Sequence, residues 1–290
     1  MRRRRPRKRH HHRTPMTADR QSSVVLSQEG RVRVMTFTSA PKANPLTPEL
    51  QRDLLSALDE AAADSSVGAV VLTGSGRTFC VGADLSAMDR HAPPGSADSV
   101  GNRTADMMAE LTNPLVLKMR QLPVPVVCAI NGAAAGAGVG LALSGDFTLA
   151  AQSSFFLFPF MPNLGIVPDM GSSWYLTRRL GPMRASAVML LGDRVNAVMA
   201  AEWGLIHRSI PDDLLLSEAV ALAQRLARLP AHAVGEIRAI VDLALEQPLE
   251  TQLEYEAARQ RELIDRPTFD EGARAFMEKR APVFPHRGED

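Results

Sequence analysis

Two valine-rich apolar runs flank a Glu-Gly pair in "SVVLSQEGRVRVMTF" (23–37), which predicts two strands joined by a tight turn. From Thr47 the period lengthens. "TPELQRDLLSALDEAAAD" (47–64) opens with Thr-Pro, a helix start, and places its apolar residues at helical spacing. Short continuous apolar runs, "GAVVLTG" (68–74) and "VPVVCAI" (124–130), read as buried strands. Between them lies a polar segment, 86–104, long enough to be a functional lid or a disordered loop. A helix over about 105–120 follows it. "DFTLAAQSSFFLF" (146–158) predicts two short strands around a polar turn, and helices then dominate, at about 170–180, 182–191, 197–203, 213–229, 231–246, 250–264 and 269–279. The chain changes character near residue 200, from strand-and-helix layers to a mostly helical tail. No clean repeat and no long linker is visible.

At 290 residues the chain suits one large domain or a domain with an appendage. Its 45% hydrophobic and 22% charged residues are those of a globular protein, and no run reaches the roughly 20 apolar residues of a membrane span. The formal charge of +1 hides an asymmetry. "MRRRRPRKRHHHRTP" carries eight Lys or Arg and no acid, so the rest of the chain is net acidic. This leader, taken as residues 1–20, reads as a disordered tail or as an extension upstream of a start at Met16. The body has no matching basic stripe, so neither nucleic acid nor membrane is an expected partner. Cys80 and Cys128 have no metal or CxxC spacing and suit a reducing, cytoplasmic setting as small buried side chains.

Two glycine-rich stretches follow predicted strands: "TGSGRTFCVGADL" (73–85) and "NGAAAGAGVGLALSGD" (131–146). Neither contains GxGxxG, a P-loop lysine or the GxSxG elbow, so phosphate cradling and serine-nucleophile chemistry lose support. What small residues before a helix do permit is close approach of a ligand to unpartnered first-turn amides. Such amides can hold an oxygen on which charge develops, at about 3 kcal/mol of barrier per donor. Tight helix–sheet packing wants the same residues.

The pairing of these stretches with "LGIVPDMGSSWYLTRRLG" resembles the crotonase superfamily, the enoyl-CoA hydratase and isomerase family, from about residue 22 to "GARAFMEKRAPVF" (272–284). The resemblance implies an α/β fold: a spiral of ββα turns over 21–200, then a helical trimerisation region over 201–290, assembled as trimers or hexamers. It implies an acyl-CoA thioester substrate whose carbonyl is gripped by the amides of Ala83, in "VGADL", and Ala137, in "AAGAG". "PKANPLT", with Ala43 and Leu46, resembles the loop along the CoA arm. Asp84, Leu85, Gly136 and Met161 would flank the thioester, with Asp84 fixing its loop rather than reacting. Phe276 and Lys279 match positions near the nucleotide end of CoA, often of a neighbouring subunit, although Phe276 reads more readily as a core anchor.

Hydration in this family uses two glutamates, and the matching positions here are Gly140 and Met161. Ordinary hydratase chemistry therefore loses support. What remains is Asp169. From Leu111 to Gly192 the only other acid is Asp146. Locally, an Asp before a helix reads as an N-cap. The oxyanion segments, the missing glutamates and the absence of nearby acids turn the reading toward a proton carrier that also caps. The surrounding "VPD" resembles members such as epoxyphenylacetyl-CoA isomerase and enzymes that shift enoyl-CoA double bonds. One carboxylate suffices for such a shift. Three other readings stay open: an enoyl-CoA hydratase, an aspartate-nucleophile dehalogenase or hydrolase, with Trp174 and Phe160 lining the pocket, and a scaffold that binds acyl-CoA without turnover. Glu110 or Asp146 could also fold into the site. His91 lies on the polar loop. No metal or redox cofactor is expected, since CoA arrives with the substrate.

Overall fold

In the computed structural model, which describes residues 23–39, 43–88 and 91–289, the predicted hairpin pairs β1 (Val24–Glu29) with β2 (Val32–Phe37). The leader lies outside the described residues. Thr47 caps α1 (Pro48–Ala63) by accepting from the Leu50 amide, with Pro48 in the first turn, where its missing N–H costs nothing.

Three successive turns then follow one plan. Each sends a strand to a larger sheet and a short strand to a smaller one, and returns through helix. The first is β3 (Ala69–Gly74), β4 (Thr78–Cys80), α2 (Val100–Met107) and α3 (Asn113–Gln121). The second is β5 (Val126–Ile130), β6 (Ala133–Ala135) and α4 (Ala137–Leu143). The third is β7 (Phe147–Ala151), β8 (Phe155–Leu157) and α5 (Ser172–Leu191). A short strand β9 (Val195–Asn196), helix α6 (Ala197–Glu202) and strand β10 (Arg208–Ile210) lead to α7 (Leu215–Leu226), α8 (Ala233–Ala244), α9 (Leu249–Ile264) and α10 (Pro267–Met277). The sheets run β1-β2-β3-β5-β7-β10 and β4-β6-β8-β9, parallel throughout except at β1–β2 and β8–β9. This is the expected mixed α/β spiral with a helical C-terminal region.

The central strands are continuous apolar runs because both their faces are covered. One face packs Leu72, Cys128 and Ile130 against α1, α3 and the smaller sheet. The other packs Val71, Val127 and Leu149 under Ala219, Leu222 and Ala223 of α7.

Two readings change. The polar segment 86–104 is helical from Val100, because the Ser99 hydroxyl accepts from the Asn102 amide and caps α2. This helix continues into α3 through a π-helical turn, Met108–Thr112. The sheet does not stop at residue 200: β10 pairs in parallel with β7. The break expected at Gly181-Pro182 is present: Gly181, at φ 72° and ψ 168°, is non-helical and divides α5 into two helical stretches.

Asp146 sits at the N-terminal ends of β5 and β7. It accepts from the Val126 amide at 2.8 Å and from Arg238 of α8 at 2.7 and 2.6 Å, beside a cavity of about 370 Å³. Both side chains are about one-tenth exposed. Breaking a buried pair strands the other charge, so Asp146→Ala should cost about 3 kcal/mol in urea unfolding. The segments 81–83 and 136–137 follow β4 and β6, past the opposite, C-terminal ends of β3 and β5, so Asp146 does not enter the candidate site. No helix among the described residues is long and apolar enough to cross a membrane.

Candidate active site

β4 runs into Val81-Gly82-Ala83, and β6 runs through Gly136 into α4. These segments touch because Gly82 and Gly138 lack side chains. A Cβ on Gly82, at φ 80°, would lie 2.9 Å from both Ala135 O and Ala137 N, and one on Gly138 would lie 2.1 Å from Cys80 O. No Cβ fits at such distances without moving backbone. The contact sets Ala83 one residue from the Ala137 amide. Among the described residues neither amide is taken up by a backbone carbonyl, whereas Gly136 N donates to Leu157 O at 3.0 Å. Ala137 opens α4, so its N–H has no intrahelical acceptor and lies at the positive end of the dipole. The two sequence-predicted donors are thus brought together.

The loop from Ala43 to Leu46 is tied to the same place. Leu46 N donates to Gly82 O at 2.8 Å. Asn44, fully buried at φ 52°, donates through Nδ2 to Ser75 O and Thr78 O at 3.0 and 2.9 Å. Sequence reasoning passed over Asn44; its tolerance of left-handed backbone, needed here beside Ala43 at φ 61°, was the available signal. Asp84 accepts from the Ser86 amide at 3.0 Å and caps a single 3-10 turn, Leu85–Ala87, which is the loop-fixing role expected of it. A groove of about 400 Å³ opens between Leu46, Ala83, Asp84, Arg103 and Met107. Arg103 also escaped the sequence reading. Leu85 lines a neighbouring depression with Ala83 and is 42% exposed.

Asp169 begins the turn that leads into α5. It does not cap that helix: Gly171 occupies the N-cap position, and no side chain caps it. The backbone closes the turn instead, with Ser172 N donating to Asp169 O at 2.9 Å. The carboxylate is half-buried, and its Oδ1 is fully buried with no hydrogen-bond partner. Burial pushes its pKa up to about 6, against a small opposing pull from its own amide. Next to it Met170 is buried at φ 52°, against α4. A Cβ on Gly140 would lie 2.3 Å from Met170 Cβ and 2.6 Å from Met170 O. The first hydratase glutamate position is therefore filled by the backbone that carries Asp169.

Other candidates lie elsewhere. Met161 is 39% exposed on a π-helical turn, Phe160–Leu164, outside the groove. Glu110 is exposed on the Met108–Thr112 turn. Phe276 is 85% exposed and so is no core anchor within this chain; Lys279 follows α10 at φ 54°, and neither lines the groove. Trp174 stacks under the Arg178 guanidinium at 3.9 Å. Burial lifts the Cys80 and Cys128 thiols to about 12, which leaves them unreactive. No group of three or more His, Cys, Asp or Glu among the described residues is placed to hold a metal ion.

The sequence pattern of enoyl-CoA hydratase/isomerase matches residues 27–287, almost the whole described chain. The chain belongs to the enoyl-CoA hydratase/isomerase family. Within it, the chain is 38% identical over 262 residues to the 1,2-epoxyphenylacetyl-CoA isomerase of Escherichia coli K12, covering 90% of this chain and 97% of that one. It is equally identical, over 254 residues, to a probable enoyl-CoA hydratase of Rhodobacter capsulatus, covering 88% and 94%. The crystal structure of an enoyl-CoA hydratase from Polaromonas sp. JS666 superposes with a TM-score of 0.80 at 30% identity, covering 90% of this chain and 99% of that one. Isomerase and hydratase names thus both occur among this chain's relatives, and the substrates of the family are acyl-CoA thioesters.

Proposed function

We propose that this family member isomerises an enoyl-CoA, shifting a double bond through an enolate held by the Ala83 and Ala137 amides. The observation that carries this reading is at position 140. The turn bearing Asp169 occupies the space a second carboxylate would need at position 140, which leaves the half-buried Asp169 as the acid of this reading. In the proposed reaction the Asp169 carboxylate removes a proton from a carbon next to the conjugated system. The electron pair moves into the thioester carbonyl, and the oxygen gains charge against the two amides. The same carboxyl group then returns the proton to another carbon. No water is consumed, and no atom is gained or lost. A carboxyl group near pH 6 can serve in both directions. CoA enters as part of the substrate, along the Ala43–Leu46 loop. Assembly as trimers or hexamers would bring Phe276 and Lys279 to a neighbouring subunit's nucleotide end.

The test is a panel of enoyl-CoA thioesters, with products separated and reactions repeated in heavy water. The expected result is a product of unchanged mass in ordinary water with the double bond moved. Deuterium should enter at carbons near the thioester. Because the ionised form of Asp169 must act first, kcat/KM should fall as pH drops below about 6. A hydroxyacyl-CoA product would favour the hydratase reading suggested by the Rhodobacter relative. Thioester binding without exchange would leave a binding scaffold.

A further inference from the structure

Asp169 to Ser172 form a four-residue turn with positive φ at both central residues, Met170 at 52° and Gly171 at 70°. Glycine adopts this conformation freely; methionine does not. The strain is held by the burial of Met170, which is 1% exposed. Two oxygens in this one turn are fully buried and unpartnered: Asp169 Oδ1 and Ser172 Oγ. A buried hydroxyl without a partner is uncommon, and here the hydroxyl and the carboxylate oxygen start from residues linked by a 2.9 Å backbone bond. That bond keeps the two residues' Cα atoms within about 7 Å. Ser172 Oγ faces the first turn of α4, where it would lie 2.9 Å from a Cβ on Gly140, and the residue is wholly inaccessible to solvent.

We propose that Ser172 is the positioning residue for Asp169. Its hydroxyl rotates to donate to Oδ1 whenever Asp169 is ionised, and so leaves the other oxygen to face the substrate. The inference rests on the proton-carrier reading of Asp169, which needs a group that alternates between carboxylate and carboxylic acid. The neutral acid tolerates a bare Oδ1; the carboxylate needs a donor. Among the described residues no charged group supplies one. α4 and the Phe160–Leu164 turn carry no ionisable side chain. On α3, Lys118 pairs with Asp59 and Arg120 with Asp242. On α5, Arg178 pairs with Glu246, Arg179 donates to the Leu205 and Leu143 carbonyls, and Tyr175 stays neutral, lifted to about 12 by burial. Glu110, on the π-helical turn between α2 and α3, is exposed.

The experiment follows the Asp169 carboxyl by carbon-13 NMR in the full chain, with the signal assigned by its loss in Asp169→Asn. Removing a donor to the ionised form raises a carboxyl pKa. In Ser172→Ala the titration midpoint should therefore rise by about one pH unit, and the acid limb of kcat/KM should move with it. KM should stay near the wild-type value. Ser173→Ala, which removes an exposed hydroxyl one residue on, should change neither. If Ser172→Ala does not fold, Ser172→Gly removes the same hydroxyl with less bulk against Gly140 and must show the same rise. An unmoved midpoint in a folded variant overturns the proposal. The midpoint needs no turnover, so the two readings fail separately. Full activity in Asp169→Asn sinks the proton carrier, and a fixed midpoint sinks the role of Ser172.

Discussion

Asp169→Asn is expected to lower enoyl-CoA turnover by about a hundredfold or more, the usual scale for removing a general acid–base group. Asparagine keeps the shape and the turn, and it cannot exchange a proton with carbon. KM should change little, because the groove, the Ala43–Leu46 loop and the two amides are untouched. The same variant should be the more stable protein above pH 6. The Asp169 pKa is raised to about 6 from the ordinary 3.8, so the folded state binds a proton that the unfolded chain has released between those values. Wild-type stability therefore falls as pH rises through that window, by at most about 3 kcal/mol. Urea unfolding at pH 5 and pH 8 checks the sign. The gap between variant and wild type should widen at the higher pH. Unchanged turnover would remove Asp169 from the reaction.

Gly140→Glu is expected to abolish isomerase turnover without creating hydratase activity, although family hydratases carry glutamate at the matching position. The first carbon of any side chain there would lie 2.3 Å from Met170 Cβ and 2.6 Å from its carbonyl oxygen. Backbone on one side and a buried core residue on the other leave no flexible neighbour to give way. The turn at 169–172 must move, Asp169 and Ser172 move with it, and overpacking of this kind costs about 1–3 kcal/mol. Met161→Glu is the contrasting case. Met161 is 39% exposed on the Phe160–Leu164 turn, so a carboxylate there is tolerated and stability should stay within about 0.5 kcal/mol. Activity assays and urea midpoints on the two variants separate steric exclusion at 140 from mere absence of an acid. A 3-hydroxyacyl product from Gly140→Glu would show that the turn can yield.

Most of the layers were legible in the chain itself. The hairpin at 23–37, the helix after Thr47, the buried strands at 68–74 and 124–130 and the C-terminal helices follow from local period, capping and punctuation. Those signals are local, and they act before any tertiary contact. The strands read poorly are the short ones. β6 is three alanines, and alanine has little strand preference of its own. It is a strand because β4 and β8 lie in parallel on either side of it. The threefold ββα plan is hidden for the same reason: each turn meets different neighbours, so each carries different residues, and no repeat survives in the letters.

At the site the division is sharper. Ala83 and Ala137 come from the resemblance of the two glycine-rich motifs to the family, and Asp169 stands out because an isolated acid is conspicuous in a line of residues. Sequence reasoning expected Asp169 to cap the helix as well, a place that Gly171 takes, and passed over Asn44, Arg103 and Ser172, whose residue types are common and uninformative alone. It also held open a place for Asp146, which the fold commits to Arg238 at the far ends of the strands. Which carboxylate is left half-buried, with one oxygen unpartnered, depends on distances between segments some thirty residues apart. Those distances are set by backbone packed against glycine, and only the folded chain contains them.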